Sequence, residues 1–199
     1  MVRQIAVGPM ANFTYLVVEE ASNEAMVVDS GWETEPTVKA VDETGAKVAY
    51  VVATHGHFDH VSTLGKLARQ LGAETVAHES SRVDADLKVG DGNELSLGSG
   101  KVRVLHTPGH TQDSVCLYDD AHVFTGDTLF VGSIGRFESE SAEEIFTSLH
   151  RVILRLPPST MMYPGHDYGE VKCRTLEEES RSNPFLVAKD FKSFASLLA

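Results

Sequence analysis

Residues 54 to 60 read THGHFDH and follow directly on the apolar run VAYVVA at 48–53, so three of the nine histidines and one aspartate crowd the exit of a strand-like segment. Packing alone does not use such a run, because polar groups taken out of water need partners. In extended chain His55 and His57 point the same way, being two residues apart. Asp59 and His60 fall at the turn into a following segment and face a neighbouring point. One loop can therefore serve two adjacent metal positions, which constrains the fold to bring further donors to the same strand end.

Such donors are present: His110 in TPGH, Asp127 in TGDT and His166 in PGH each stand just after a strand-like run. Imidazole and carboxylate suit zinc, iron or manganese, and loops at strand ends can converge without disturbing a core. Glycines 56, 109 and 165 allow tight backbone geometry beside the ligands. Other histidines have an ordinary reading, and His78, His106, His122 and His150 are expected to be surface or hydrogen-bonded residues. Asp29, in VVDSG, is expected to shape a turn or orient a ligand rather than bind metal itself.

The surrounding pattern is α/β. Strands are predicted at 13–18, 25–28, 48–53, 75–78, 102–106, 114–118, 122–126 and 160–163. A short helix is predicted over 34–45, closed by Gly45. A second follows the histidine cluster, with Val61, Leu64, Leu67, Ala68 and Leu71 on one face and Gly72 closing it. A third runs from Ala142 through Ile145, Leu149 and Ile153, opened by a Ser141/Glu144 capping box and stopped by Pro157 and Pro158. This order fits a four-layer αββα sandwich among other α/β arrangements. With 199 residues and no low-complexity linker, one domain over 1–199 is expected, with a C-terminal helical tail (170–199) that looks appended and packs on it.

Charge and cysteine content narrow the partners. A formal charge of −12 argues against a phosphate backbone or anionic membrane as the main partner, so an anionic substrate needs a local cation. No apolar run approaches the roughly 18 residues of a membrane helix, and the N-terminus shows no secretory pattern; a cytoplasmic protein is expected. Cys116 and Cys173 lack metal or disulfide spacing and read as buried structural residues. Nothing in the sequence sets the oligomeric state.

The motifs THGHFDH, TPGHT, FTGDTLF and YPGHDYG, in that order, resemble the metal-binding motifs of the metallo-β-lactamase superfamily. The resemblance runs to about residue 185. It implies the αββα fold, a first metal on His55, His57 and His110, a second on Asp59, His60 and His166, and Asp127 bridging the two. Two divalent ions follow, zinc first, with iron or manganese as alternatives. True β-lactamases of the superfamily carry an arginine-like residue where this chain has His60, and its flavin-diiron proteins a glutamate in place of His57. The superfamily's nucleases are disfavoured by the acidic charge.

The stretch GDTLFVGSIGRFESESAEEIFTSL resembles glyoxalase II, the hydroxyacylglutathione hydrolase. That likeness implies substrate binding by Arg136 and Tyr168, although Glu138 stands where tyrosine is frequent and only 33 residues follow His166. An ion pair of Arg136 with Glu138 or Glu140 is the structural alternative to substrate binding. The tail CRTLEEESRSNPFL resembles both short glyoxalase II-like hydrolases and persulfide dioxygenases. The dioxygenases share the matching arginine but usually follow it with Thr-Asp, not Phe137-Glu138. The expectation is a metal-dependent thioesterase acting on a small thioester or other thiol-derived substrate. Metal-activated hydroxide would attack the carbonyl, with Asp59 or Asp127 orienting it and accepting its proton. Two alternatives stand beside it: a persulfide dioxygenase holding one iron on His55 or a neighbour, His110 and Asp127, and a non-catalytic scaffold stabilised by metal.

Overall fold

The structure, a computed structural model described over residues 1–198, contains two six-stranded sheets laid face to face. The first comprises β1 (Val2–Val7), β2 (Asn12–Glu19), β3 (Glu24–Val28), β4 (Lys47–Val52), β5 (Glu74–His78) and β6 (Leu87–Val89), in that spatial order. Its first three strands are antiparallel, and β3 through β6 are parallel. The second comprises β7 (Glu94–Leu97), β8 (Gly100–His106), β9 (Val115–Tyr118), β10 (His122–Gly126), β11 (Met161–Pro164) and β12 (Arg174–Thr175). It is antiparallel except for the β10–β11 pair.

Alternation along β2 builds the layers. Phe13, Tyr15 and Val17 turn inward and meet Val104, Leu117 and Phe124 of the second sheet in the central core. Leu16 and Val18 turn outward, beneath α1 (Glu35–Thr44) and α3 (Leu64–Leu71). On the opposite outer face Cys116, Tyr118 and Val123 meet Ile145 of α4 (Ala142–Thr147), Leu176 of α5 (Leu176–Ser182) and Phe194 of α7 (Phe191–Ala195). This is the four-layer αββα arrangement, and strand β9 is apolar on both faces because helix covers one and sheet the other.

Several expectations need correction. The helix after the histidine cluster is broken: α2 (Phe58–Val61) stops at Ser62, and α3 begins at Leu64. No Ser141/Glu144 capping box forms; Glu144 instead accepts a hydrogen bond from Gln112 Nε2 at 2.6 Å. Beyond Thr147 that helix widens into a π-type turn over Ser148–Val152 and ends in a 3-10 turn at Ile153–Arg155. The capping box lies at Thr175 and Glu178, opening α5. In the C-terminal tail Leu176, Leu186 and Phe194 are core residues packed against the second sheet. Cys116 is buried as expected, its thiol pushed up to about 11 by burial, whereas Cys173 is only half-buried. No helix among the described residues is long and apolar enough to cross a membrane.

Candidate metal centre

The two sheets are stitched together at one end by backbone hydrogen bonds, Phe13 N–H to Gly165 O at 2.8 Å and Val115 N–H to Thr54 O at 2.8 Å. The loops leaving β4, β8, β10 and β11 converge there and carry all seven predicted donors. His55, His57, His110 and Asp127 form one group able to hold a metal ion, and Asp59, His60 and His166 form a second. In the first, His57 Nδ1 lies 3.0 Å from His55 Nε2 and 2.9 Å from His110 Nε2. In the second, His60 Nε2 and His166 Nε2 are 3.2 Å apart, and Asp59 Oδ2 lies 3.5 and 3.4 Å from them. Asp127 joins the groups, with Oδ2 at 3.5 Å from His110 and 3.4 Å from His166 and Oδ1 at 3.3 Å from His60.

Hydrogen bonds behind the rings fix which nitrogen faces inward. Thr54 donates its hydroxyl proton to Asp29 Oδ2 at 2.8 Å, so its oxygen accepts from His55 Nδ1 at 3.1 Å. His60 Nδ1 donates to Asp29 Oδ2 at 2.8 Å, His110 Nδ1 to the Arg136 carbonyl at 2.6 Å and His166 Nδ1 to the Met10 carbonyl at 2.9 Å. All four Nε2 atoms therefore turn toward the site, where His57 Nδ1 can donate to only one of His55 and His110 and Asn12 Nδ2 makes no more than a long contact of 3.5 Å with His166. Facing lone pairs at such distances repel unless a proton or cation sits between them. Asp127 Oδ1 is likewise buried without a hydrogen-bond partner. A divalent cation fits both sets on these grounds, and the outer hydrogen bonds are of the kind that orient metal-binding imidazoles.

Proton affinities differ between the groups. Burial, with the neighbouring His60, pushes His55 well below the usual histidine range, and burial also lowers His110. At His60 burial acts downward too, but the Asp29 and Asp127 carboxylates outweigh it and raise the ring well above that range. His166 is raised against its burial by Asp127. Burial opposes ionisation of Asp127, yet His166 and His60 hold its carboxyl well below the ordinary value.

Glycines crowd the site as their motifs suggested, with one difference. Gly109 has φ +135, and a Cβ there would lie 2.5 Å from Ile145; a Cβ on Gly165 would lie 2.5 Å from Asp127 Oδ1. Gly56 has no positive φ and only Asp113 Oδ2 at 3.0 Å from its Cβ position, so the turn between His55 and His57 does not demand glycine.

Of the two residues assigned to substrate, Tyr168 lays its ring on His166, with centroids 4.6 Å apart and planes within 11°. Its hydroxyl donates to the Met10 carbonyl at 3.2 Å, and the ring remains exposed. The Arg136 side chain is exposed at the rim, and its expected alternative ion pair is not formed. Among the described residues the paired arginines are Arg3, Arg103, Arg174 and Arg181.

The other histidines are satisfied elsewhere: His78 by Ser80, His106 by the Gln112 carbonyl, His122 by Asp119 and His150 by the Phe185 carbonyl. Asp29 orients both Thr54 and His60, as its place in the sequence suggested. Asn12 was not anticipated. Buried at the start of β2, it donates to Asp59 Oδ2 at 2.9 Å and accepts from Trp32 Nε1 at 2.8 Å. Nothing in ANFTY distinguishes this asparagine from a turn residue.

Residues 7–85 and 78–166 match the family model described as the metallo-beta-lactamase superfamily. The chain is 35% identical over 192 residues to the mitochondrial persulfide dioxygenase ETHE1 of Homo sapiens, covering 94% of this chain and 76% of that protein. It is 30% identical to a hydroxyacylglutathione hydrolase of Pelagibacter ubique, covering 89% and 76% respectively. The crystal structure of ETHE1 from Myxococcus xanthus superposes with a TM-score of 0.92 at 33% identity, over 100% of this chain and 89% of that one.

Proposed function

Because the chain belongs to the metallo-beta-lactamase superfamily and is a metal-dependent enzyme of that fold, we propose that it is a persulfide dioxygenase holding one iron on His55, His110 and Asp127. What carries this reading is the extent of the likeness: a protein of that name matches 94% of the chain, and the ETHE1 structure from Myxococcus xanthus superposes over all of it, tail included. The expectation of a glyoxalase II-like thioesterase gives way to it, since the likeness to a hydroxyacylglutathione hydrolase is lower in identity and covers less of the chain.

The reaction proposed is R–S–SH with O2 and water giving R–SH, sulfite and two protons, so the outer sulfur gives up the electrons that reduce dioxygen. Iron held by His55, His110 and Asp127 would supply the redox chemistry that couples the persulfide sulfur to dioxygen. The protein's own groups hold and screen that site. Two imidazoles and one carboxylate converge, and Thr54 and the Arg136 carbonyl fix the His55 and His110 tautomers. His57, exposed, stands at the solvent side of the same group. The unpaired Arg136 guanidinium offers an anionic thiol carrier the local positive charge that a −12 chain otherwise lacks.

Anaerobically prepared protein loaded with ferrous iron is expected to consume oxygen when given glutathione persulfide, with sulfite as product. Absence of oxygen uptake from fully loaded protein would sink the reading.

One observation favours a second reading, two-metal thioester hydrolysis. Asp59, His60 and His166 form a complete second donor set, sharing Asp127 with the first. Two ions there would make hydroxide available near neutral pH, with Asp59 or Asp127 placed to orient it. Cleavage of a lactoyl-glutathione thioester without oxygen would favour this reading over the first.

A further inference from the structure

The segment from Asp127 to Arg136 meets the metal centre at both ends and in the middle. Asp127 supplies the shared carboxylate, and the Arg136 carbonyl holds His110 Nδ1 at 2.6 Å. Between them the Phe130 ring stands edge-on to His166, centroids 5.7 Å apart. Gly135 passes so close that a Cβ there would lie 1.8 Å from the Asp127 carbonyl oxygen. A small displacement of this segment would move donors of both groups.

Its midpoint is gripped from the C-terminal region. Glu179, on α5, is fully buried and accepts from the Gly132 N–H at 2.6 Å and from Asn183 Nδ2 at 2.8 Å. Asn183, equally buried, donates from the same amide to the Ser133 carbonyl at 3.0 Å. Gly132 has φ +75, a backbone state that favours glycine, and its N–H is held by the Glu179 carboxylate. The second carboxyl oxygen, Oε2, has no hydrogen-bond partner, and its nearest cation is Arg174 Nε at 3.5 Å. An apolar side chain would fill this position more cheaply than a half-satisfied buried carboxyl. Packing does not explain Glu179; its directed bond to a loop N–H does.

We propose that Glu179, with Asn183, is a positioning residue for the metal centre: the C-terminal helix clamps the 127–136 segment and so sets Asp127 and the Arg136–His110 contact. This rests on the metal-centre reading above and extends it to residues that touch neither metal nor substrate.

The test uses the full chain loaded with Co(II), read by its visible spectrum and by competition with a chelator. Glu179→Ala is expected to weaken Co(II) binding by about 3–10-fold, below the roughly 10–100-fold of losing a direct partner of a metal ligand, and to alter the spectrum. Glu179→Gln, which keeps an oxygen for Gly132 N–H, should restore most of both. Asn183→Ser retains a cap for the Phe185 N–H while losing the donor to Ser133, and should fall between; it carries the test should the alanine variant not fold. If Glu179→Ala or Asn183→Ser lowers the melting temperature yet binds Co(II) with wild-type affinity and spectrum, the residues merely stabilise and the proposal fails. If the wild-type protein binds no Co(II), the metal-centre reading itself fails and takes this inference with it.

Discussion

The two donor groups sit side by side and share Asp127, yet they are built for different conditions. His55, His57 and His110 form a group whose middle ring is exposed and whose other two rings are pushed toward the neutral form by burial. Asp59, His60 and His166 lie deeper, with His60 and His166 both raised by neighbouring carboxylates. Burial acts downward on all four imidazoles; His60 is set apart by Asp29, which touches it directly but reaches His55 only through Thr54, and His166 meets both Asp59 and Asp127 where His110 meets Asp127 alone. The first group thus loses its protons at lower pH than the second, and a cation meets less proton competition there.

The largest expected effect removes the distinction altogether. Asp127→Ala deletes the one residue common to both groups, and activity should fall by more than the roughly 100-fold typical of losing an outer partner. Metal analysis should show both positions depleted. Full retention of one equivalent would show that the carboxylate is not shared.

Separate deletions set the groups against each other. Under the dioxygenase reading His110→Ala should abolish oxygen uptake, by about 100-fold or more, whereas His166→Ala should keep more than about a tenth of it, because only the first group carries the iron. Equal collapse in both variants would point to a two-metal reaction. The comparison requires matched metal loading, measured on the same samples.

Proton release sharpens the contrast. His60 and His166, raised above the usual histidine value, keep their protons to higher pH than His55 and His110 in the metal-free protein, and a cation binds them by displacing any proton still held. Affinity of the second group should therefore fall as pH falls, by about tenfold per pH unit for each proton displaced, and level off above the raised values. His55 and His110, lowered, are neutral over the same range and should release almost none. Calorimetric titrations in buffers of different ionisation enthalpy measure the proton count, and equal release at both equivalents would break the distinction.

These contrasts were only partly legible in the sequence. The donors could be read because strand ends concentrate them in THGHFDH, TPGH, TGDT and PGH, and the layered fold because the order of strand-like and helical runs, with the resemblance of those motifs, fits it. Strand β1 escaped because most of VRQIAV is only half-buried, so its burial does not alternate. β6 and β7 escaped because they are three and four residues long. What fixes the tautomers is harder still, since two of the four acceptors are the backbone carbonyls of Met10 and Arg136, which carry no residue signature. LEEES was recognisable as a helix, but nothing in it marked Glu179 as the buried carboxyl among exposed ones.

Asn12 gives the smallest effect and the most selective one. Its amide N–H reaches Asp59 Oδ2 at 2.9 Å, while its oxygen is engaged by Trp32, so the side chain acts on the second group alone. Asn12→Ala removes one hydrogen bond to a donor carboxyl and leaves the Trp32 N–H without its acceptor. A net hydrogen bond of about 1 kcal/mol corresponds to roughly fivefold in affinity, and that loss should appear only in the second metal equivalent. The first group has no contact through Asn12, because Thr54 and the Arg136 carbonyl orient its rings from other strands. Chelator competition resolved into two equivalents measures this directly: a matching fall in the first would show that the groups move together, and no fall in either would show that Asp59 is held by the loop backbone alone.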